Sequence, residues 1–209
     1  MIHVYYFTMY KEVIFDLETQ RFFDEIDDND PAKLGVSIIS LYVRTLNQDF
    51  KEIEGQMFSY WENELDHVFP HFQLANRIIG FNSISFDTPV LQAYTTLPLS
   101  KLNHFDILDK VKEVHGRRVK LNSIAKSTLG HEKNDHGANA IKYWNEKTPR
   151  SLAKLKKYCE MDVAITRDIY DYARENGKLK FIDHWNTPRI IEDDFSYPKP
   201  PSESQASLF

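Results

Sequence analysis

Three strand signals in succession, then a helix and a fourth strand, are what most constrain the fold of this chain. VIFDLE opens the series, the β-branched run LGVSIISLYV follows, and a third strand signal lies around residues 50 to 60. Between the first two sits FFDEIDDNDPAK, whose acids and proline read as a loop. WENELDHVFPHFQLA then has helical spacing interrupted at Pro70, and the short apolar run RIIGFN reads as a strand of the buried type. From there the signals are mostly helical: SFDTPVLQAY, HFDILDKVKEVHG, and LNSIAKSTLG with Gly130 at its end. The longest is SLAKLKKYCEMDVAITRDIYDYARENG, which starts at Ser151 as N-cap and stops at Gly177. Leu152, Leu155, Cys159, Val163, Thr166 and Ile169 fall on one side of it, which predicts an amphipathic helix against a core.

With 209 residues, 42% of them hydrophobic, the chain can bury one sizeable core, so one domain is expected, over residues 11–187. Residues 1–10 read as an extension or lead-in to the first strand. Residues 188–209, rich in proline, serine and acid, read as a poorly ordered tail. A single cysteine, Cys159, excludes an intramolecular disulfide and a cysteine-rich zinc site. No apolar stretch approaches membrane-spanning length, and MIHVYYFTMYK has neither the basic start nor the small-residue cleavage site of a secretory signal. A soluble, cytoplasmic protein is expected, with no membrane partner.

The net charge of −5 argues against a nucleic-acid ligand until its distribution is considered. Residues 101–157 hold 14 Lys and Arg against 6 Asp and Glu, a local net of +8 that leaves −13 for the rest. Lys110, Lys112, Lys154, Lys156 and Lys157 fit solvated helix faces, while the same stretch is compatible with a surface that follows phosphates.

Three acidic motifs stand out against this background. In EVIFDLET, Asp16 and Glu18 share one face of a strand, because side chains alternate with a period of two, and they sit at its carboxyl end. In GFNSISFD, Asn82 and Phe86 precede Asp87 where a short strand turns into a helix. In YCEMD, Tyr158 and Asp162 lie four apart, about one helical turn, so phenol and carboxylate project together. Each alone has a plain structural reading: a polar strand end, turn and cap residues, a tyrosine at a core edge beside a solvated acid.

As a set, in this order and on these elements, they resemble the three exonuclease motifs of the DEDD superfamily of 3′→5′ exonucleases. The tyrosine four positions before the last aspartate resembles the DEDDy branch; the histidine of the DEDDh branch would stand at Lys157. The resemblance covers roughly residues 11 to 176 and is similar in detail to the proofreading exonuclease domain of family B DNA polymerases. It implies an α/β fold of ribonuclease H-like type, a mixed central sheet of three antiparallel strands followed by parallel ones, flanked by helices. It also implies two divalent cations, Mg2+ or Mn2+, with Asp16, Glu18, Asp87 and Asp162 as ligands and Tyr158 completing the catalytic set. Asp16 would bridge both ions, Glu18 and Asp162 would serve the ion that carries the attacking water, Asp87 would hold the second mainly through water, and Tyr158 would orient the nucleophile. Asn82 and Phe86 would border the terminal nucleotide.

That chemistry accounts for acids at the end of a buried strand. Phosphodiester hydrolysis needs an activated water and neutralisation of charge on the phosphate oxygens, which two hard cations supply. Such cations take oxygen ligands, in keeping with four acids and no histidine or cysteine cluster. The expected substrate is the 3′ end of single-stranded DNA, in replication or repair. RNA trimming of the ribonuclease D type is the alternative within the enzyme class, since no motif reads a 2′-OH; a catalytically slow nucleic-acid-binding scaffold is the alternative outside it.

Other features carry less. His131, Asp135 and His136 in GHEKNDHG fit no zinc spacing and read as a polar loop, and His104 and Asp106 read as residues at a helix start. The terminal QASLF resembles the peptide by which bacterial polymerases and repair factors dock on the sliding clamp, with Gln205, Leu208 and Phe209 at the informative positions. It implies a clamp-tethered enzyme.

Overall fold

The structure, a computed structural model, describes residues 9–131 and 138–197. A five-stranded mixed sheet, ordered β3-β2-β1-β4-β5, forms its centre. Strands β1 (Tyr10–Thr19), β2 (Val36–Leu46) and β3 (Glu52–Trp61) make an antiparallel meander; β4 (Arg77–Gly80) and β5 (His104–Asp106) add in parallel beside β1. This is the mixed sheet expected of a ribonuclease H-like fold.

Alternation along β1 sorts its side chains into two layers. Val13, Phe15 and Leu17 enter one apolar layer with α1 (Phe69–Leu74), α2 (Asp87–Gln92) and the turns around Leu34 and Leu99. Ile14 enters the other, with α3 (Ile107–His115), α4 (Leu121–Leu129) and the long helix α6 (Pro149–Asn176). A smaller cluster joins Ile38 of β2 to Leu155, Tyr158 and Cys159 of α6 and to Ala140 of α5 (Ala138–Glu146). Helix α6 runs antiparallel to β1 along this face. Tyr170 and Asp171 lie near the start of β1, next to Glu12 or its partner Arg44, while Cys159 and Asp162 lie near its end.

The helix-start prediction at Ser151 is off by one step of a capping box. Thr148 is the N-cap, accepting from the Ser151 N–H, while the Ser151 hydroxyl accepts from the Thr148 N–H, with Pro149 in the first turn. The stop at Gly177 holds: the glycine adopts φ +64° and returns its N–H to Ala173. Pro70 begins α1 rather than interrupting a longer helix, and a 3₁₀ stretch, Glu62–His67, precedes it. His104 belongs to a short strand, β5, rather than to the helix start expected there; Asp106 does start α3, as its N-cap.

The tail expectation at Pro188 needs correction. Strand β7 (Pro188–Glu192) pairs antiparallel with β6 (Lys178–Ile182), Ile191 and Phe195 are buried against α6 and α3, and Tyr197 reaches back to β1. Proline and acid density describe the exposed half of this segment; its apolar residues find partners on elements far away in sequence. Gln205, Leu208 and Phe209, like Asp135 and His136, lie outside the described residues. No helix among the described residues is long and apolar enough to cross a membrane.

A buried ionic network closes the sheet at the start of β1. Glu12, fully buried, accepts from Arg44 at 2.8 Å, from Tyr170 at 3.0 Å and from Tyr197 at 2.5 Å. Arg44 also forks onto Asp171 of α6 at 2.6 and 2.7 Å and reaches Glu52 of β3 at 3.2 Å. One guanidinium therefore ties β1, β2, β3 and α6 together, and Glu12 is tolerated in the core because its oxygens are all engaged.

Candidate active site and metal centre

At the opposite end of β1, past the last residue of β4, Asp16 and Glu18 come out on the face covered by α6. Asp162 projects toward them from the helix, and one carboxylate oxygen from each of the three lies within 4.8 Å of the other two. Asp16 and Glu18 are half-buried and Asp162 is buried. Three anions at this separation repel strongly, and a cation between them converts repulsion into binding. The donor set is all carboxylate oxygen, which suits Mg2+ or Mn2+ and disfavours softer metals.

Tyr158, one turn before Asp162, lies buried beside the trio. Burial first, and then the charges of Asp162, Glu18 and Asp16, push its phenol well above the ordinary tyrosine value. Burial and the neighbouring carboxylates thus favour the neutral hydroxyl. Next to it, Cys159 donates its thiol to the Asp16 carbonyl at 3.3 Å, fixing β1 against α6 at the residue that carries the carboxylate. Burial raises that thiol as well, so it remains protonated.

Asp87 stands apart from the trio. It opens α2, is fully buried, and accepts from the backbone N–H of Leu17, the residue between the two β1 acids, at 3.2 Å. Burial raises its carboxyl to about 7, with Asp106 and Asp162 adding to the effect and the Leu17 N–H opposing it. The hydrogen bond places the second motif directly behind the first.

Asn82 has φ +66°, the left-handed region that asparagine tolerates better than most residues. Asp106 holds it there: its carboxylate accepts from the N–H of Asn82 at 2.8 Å and of Ile84 at 3.0 Å while capping α3 through Leu108. Gly80 makes this turn possible, since a Cβ there would fall 2.4 Å from that of Ser83. Phe86, half-buried, packs on Phe23 with ring centroids 6.0 Å apart. Together with Leu17, Glu18 and Phe22 they wall an apolar cleft of about 240 Å³ beside the trio. A second cleft, about 530 Å³, runs from Asp16 and Asp162 past Asn82 to Arg118 and Lys120.

A protein-family model described as the RNase H superfamily matches residues 13–174, which span β1 through nearly all of α6. The chain belongs to the RNase H superfamily. A comparison with curated proteins finds no match. Membership supports a nuclease-type hydrolase that binds nucleic acid and commonly uses divalent metal, and the carboxylate trio of this RNase H superfamily chain falls inside the matched span.

The three motifs are legible in the sequence, whereas the residues that hold them are not. Asp106 reads locally as a helix start, which it is, and no nearby residue signals that its carboxylate also holds the Asn82 turn. Phe22 and Phe23 lie within an acidic loop and Arg118 within a broad basic region, where the RRVK of residues 117–120 is no denser in charge than the KLKK of residues 154–157.

Proposed function

We propose that the protein is a DEDDy-type 3′→5′ exonuclease that removes nucleotides from single-stranded DNA ends in replication or repair. The observation that carries the reading is the buried Tyr158 one helical turn before Asp162, facing a carboxylate trio supplied by two elements far apart in sequence. A structural tyrosine would not need three acids around it, and a structural acid cluster would not need a desolvated phenol.

Asp16, Glu18 and Asp162 are positioned to hold a divalent cation, with Asp87 available to a second through its buried carboxylate. Bound there, Mg2+ or Mn2+ acidifies water and neutralises charge developing on phosphate oxygens. The chain's own residues do the remaining work. Tyr158, held neutral, orients the attacking water by hydrogen bonding without taking its proton. The apolar cleft between Phe22, Phe23 and Phe86 accepts an unpaired base by stacking, and its closeness to Glu18 brings that nucleotide's phosphate to the trio. Asn82 lines the route by which the strand arrives.

In the same reading the terminal QASLF docks on a bacterial sliding clamp through Gln205, Leu208 and Phe209, tethering the enzyme near DNA ends. The deciding experiment is digestion of matched 3′- and 5′-labelled DNA and RNA oligomers with Mg2+, with Mn2+ and with EDTA. Stepwise loss from the 3′ end of DNA, abolished by EDTA, is expected. Preferential trimming of RNA would replace DNA by RNA as the substrate, and no release from any oligomer with either metal would reject the exonuclease.

A further inference from the structure

The cleft at the carboxylate trio does not end at Arg118. Arg118, Val119 and Lys120 line both that cleft and a second one of about 310 Å³, which continues to His115, Ser123 and the turn between β6 and β7. Ile182, Asp183 and His184 close its far side, and Trp185, the next residue in the turn, is 59% exposed. The Arg117 guanidinium lies 4.7 Å from the centroid of the Trp185 ring and donates to His184 Nε2 at 3.2 Å. Arg118 donates to Asn82 Oδ1 at 2.8 Å, which joins the groove to the second motif.

Charge pairing separates this groove from the lysines of the adjacent α3. Lys110 is engaged by Glu113 and Asp193, and Lys112 by Asp109. Arg117, Arg118 and Lys120 are exposed, and none forms an ion pair with a carboxylate among the described residues. The groove's one acid, Asp183, is already committed: Arg189 donates to it at 2.8 Å, and the amides of Trp185 and Thr187 at 2.9 Å. An open run of cations leading away from an anionic centre, with a large exposed aromatic at its end, matches the chemistry of a single nucleic-acid strand, whose phosphates follow the charge and whose bases stack.

We infer that the groove lined by Arg118 and Lys120, with the stacked Arg117 and Trp185 at its rim, binds the strand several nucleotides behind the end that enters the carboxylate trio. That the end at the trio is a 3′ end rests on the exonuclease reading; binding along the groove does not. The groove makes affinity depend on strand length, because a short oligomer fills the trio without reaching Trp185.

The test is fluorescence anisotropy in EDTA, where no hydrolysis intrudes, with labelled oligothymidylates about 12 and about 4 nucleotides long. The full chain binds the longer probe more tightly. Trp185→Ala weakens the longer probe by about tenfold with its salt dependence unchanged, as loss of one stacked base does. Arg117→Ala and Lys120→Ala weaken it and each lower the salt slope by about one. None of these changes alters binding of the short probe, and all three side chains are exposed, so folding is retained and is checked by thermal denaturation. A matched control, Lys110→Ala with Lys112→Ala, removes charge elsewhere and leaves affinity unchanged. Equal affinity of the wild type for both probes, wild-type binding by the Trp185 and Arg117 variants, or an equal loss in the lysine control each overturns the proposal. If the oligomer digestion fails but length-dependent binding appears, the groove stands and only the exonuclease reading falls.

Discussion

At the scale of single residues, the site is a set of like charges held close by packing. Asp162→Ala removes one carboxylate of the trio proposed to hold a cation and should abolish metal-dependent nucleotide release while the fold persists; near-normal turnover at saturating Mg2+ would contradict the ligand assignment. Tyr158→Phe keeps the ring and loses only the hydroxyl. Turnover on single-stranded DNA should fall roughly ten- to hundredfold, with Kd for DNA and metal nearly constant, because the lost hydrogen bond matters as the nucleophile approaches. Asp87 predicts a pH effect. Its folded-state carboxyl is raised from 3.8 to about 7, so the folded chain holds that proton more tightly than the unfolded chain. The stability it contributes is complete below about pH 4 and is lost as pH rises through about 7. Asp87→Asn keeps an oxygen for the Leu17 N–H and carries no charge. In EDTA the variant should therefore melt several degrees above wild type at pH 8 and close to it at pH 4, and thermal scans across that range would check both ends.

Among the elements, the sheet and α6 do most of the positioning, and their legibility in the sequence differed for physical reasons. β1, β2 and α6 announce themselves because their patterns are long and are decided by burial against one another. β5 is three residues long and runs straight into α3, so its period is too short to separate from the helix. β7 and Tyr197 depend on partners that no local window contains. Tyr197 stacks on Phe50 with centroids 4.6 Å apart, lies under the Arg77 guanidinium at 3.8 Å and donates to Glu12. The same logic hid Arg44, which reads as one polar residue in a strand yet carries three carboxylates. Arg44→Met would leave buried Glu12 with only the more distant Arg174 guanidinium, 4.0 Å away. The expected loss is about 3–5 kcal/mol, or a fall in Tm on the order of 10 °C; a change within experimental error would show the network to be dispensable.

For the whole molecule, the structure moves the boundary between body and tail. Deleting residues 205–209 should leave thermal stability and hydrolysis of free oligonucleotides unchanged and remove binding to a bacterial sliding clamp, measured by calorimetry. Absence of clamp binding by the intact chain at tens of micromolar, about −6 kcal/mol, would reject the tether. Truncation at Pro188, where composition alone sets the boundary, should by contrast strip Ile191, Phe195 and Tyr197 from the core and markedly lower Tm. β1 carries a further consequence. Its even positions, Glu12, Ile14, Asp16 and Glu18, meet α6 and its neighbours, and its odd positions, Val13, Phe15 and Leu17, meet the opposite layer. Parity, rather than any one side chain, is what this strand encodes. Substitutions along it act one at a time, but a single inserted or deleted codon between Val13 and Leu17 exchanges the two sets beyond that point, driving carboxylates into the aliphatic layer and leucine into the anionic pocket. Reading-frame-preserving insertions and deletions should therefore be far rarer in β1 among functional variants than amino-acid replacements are.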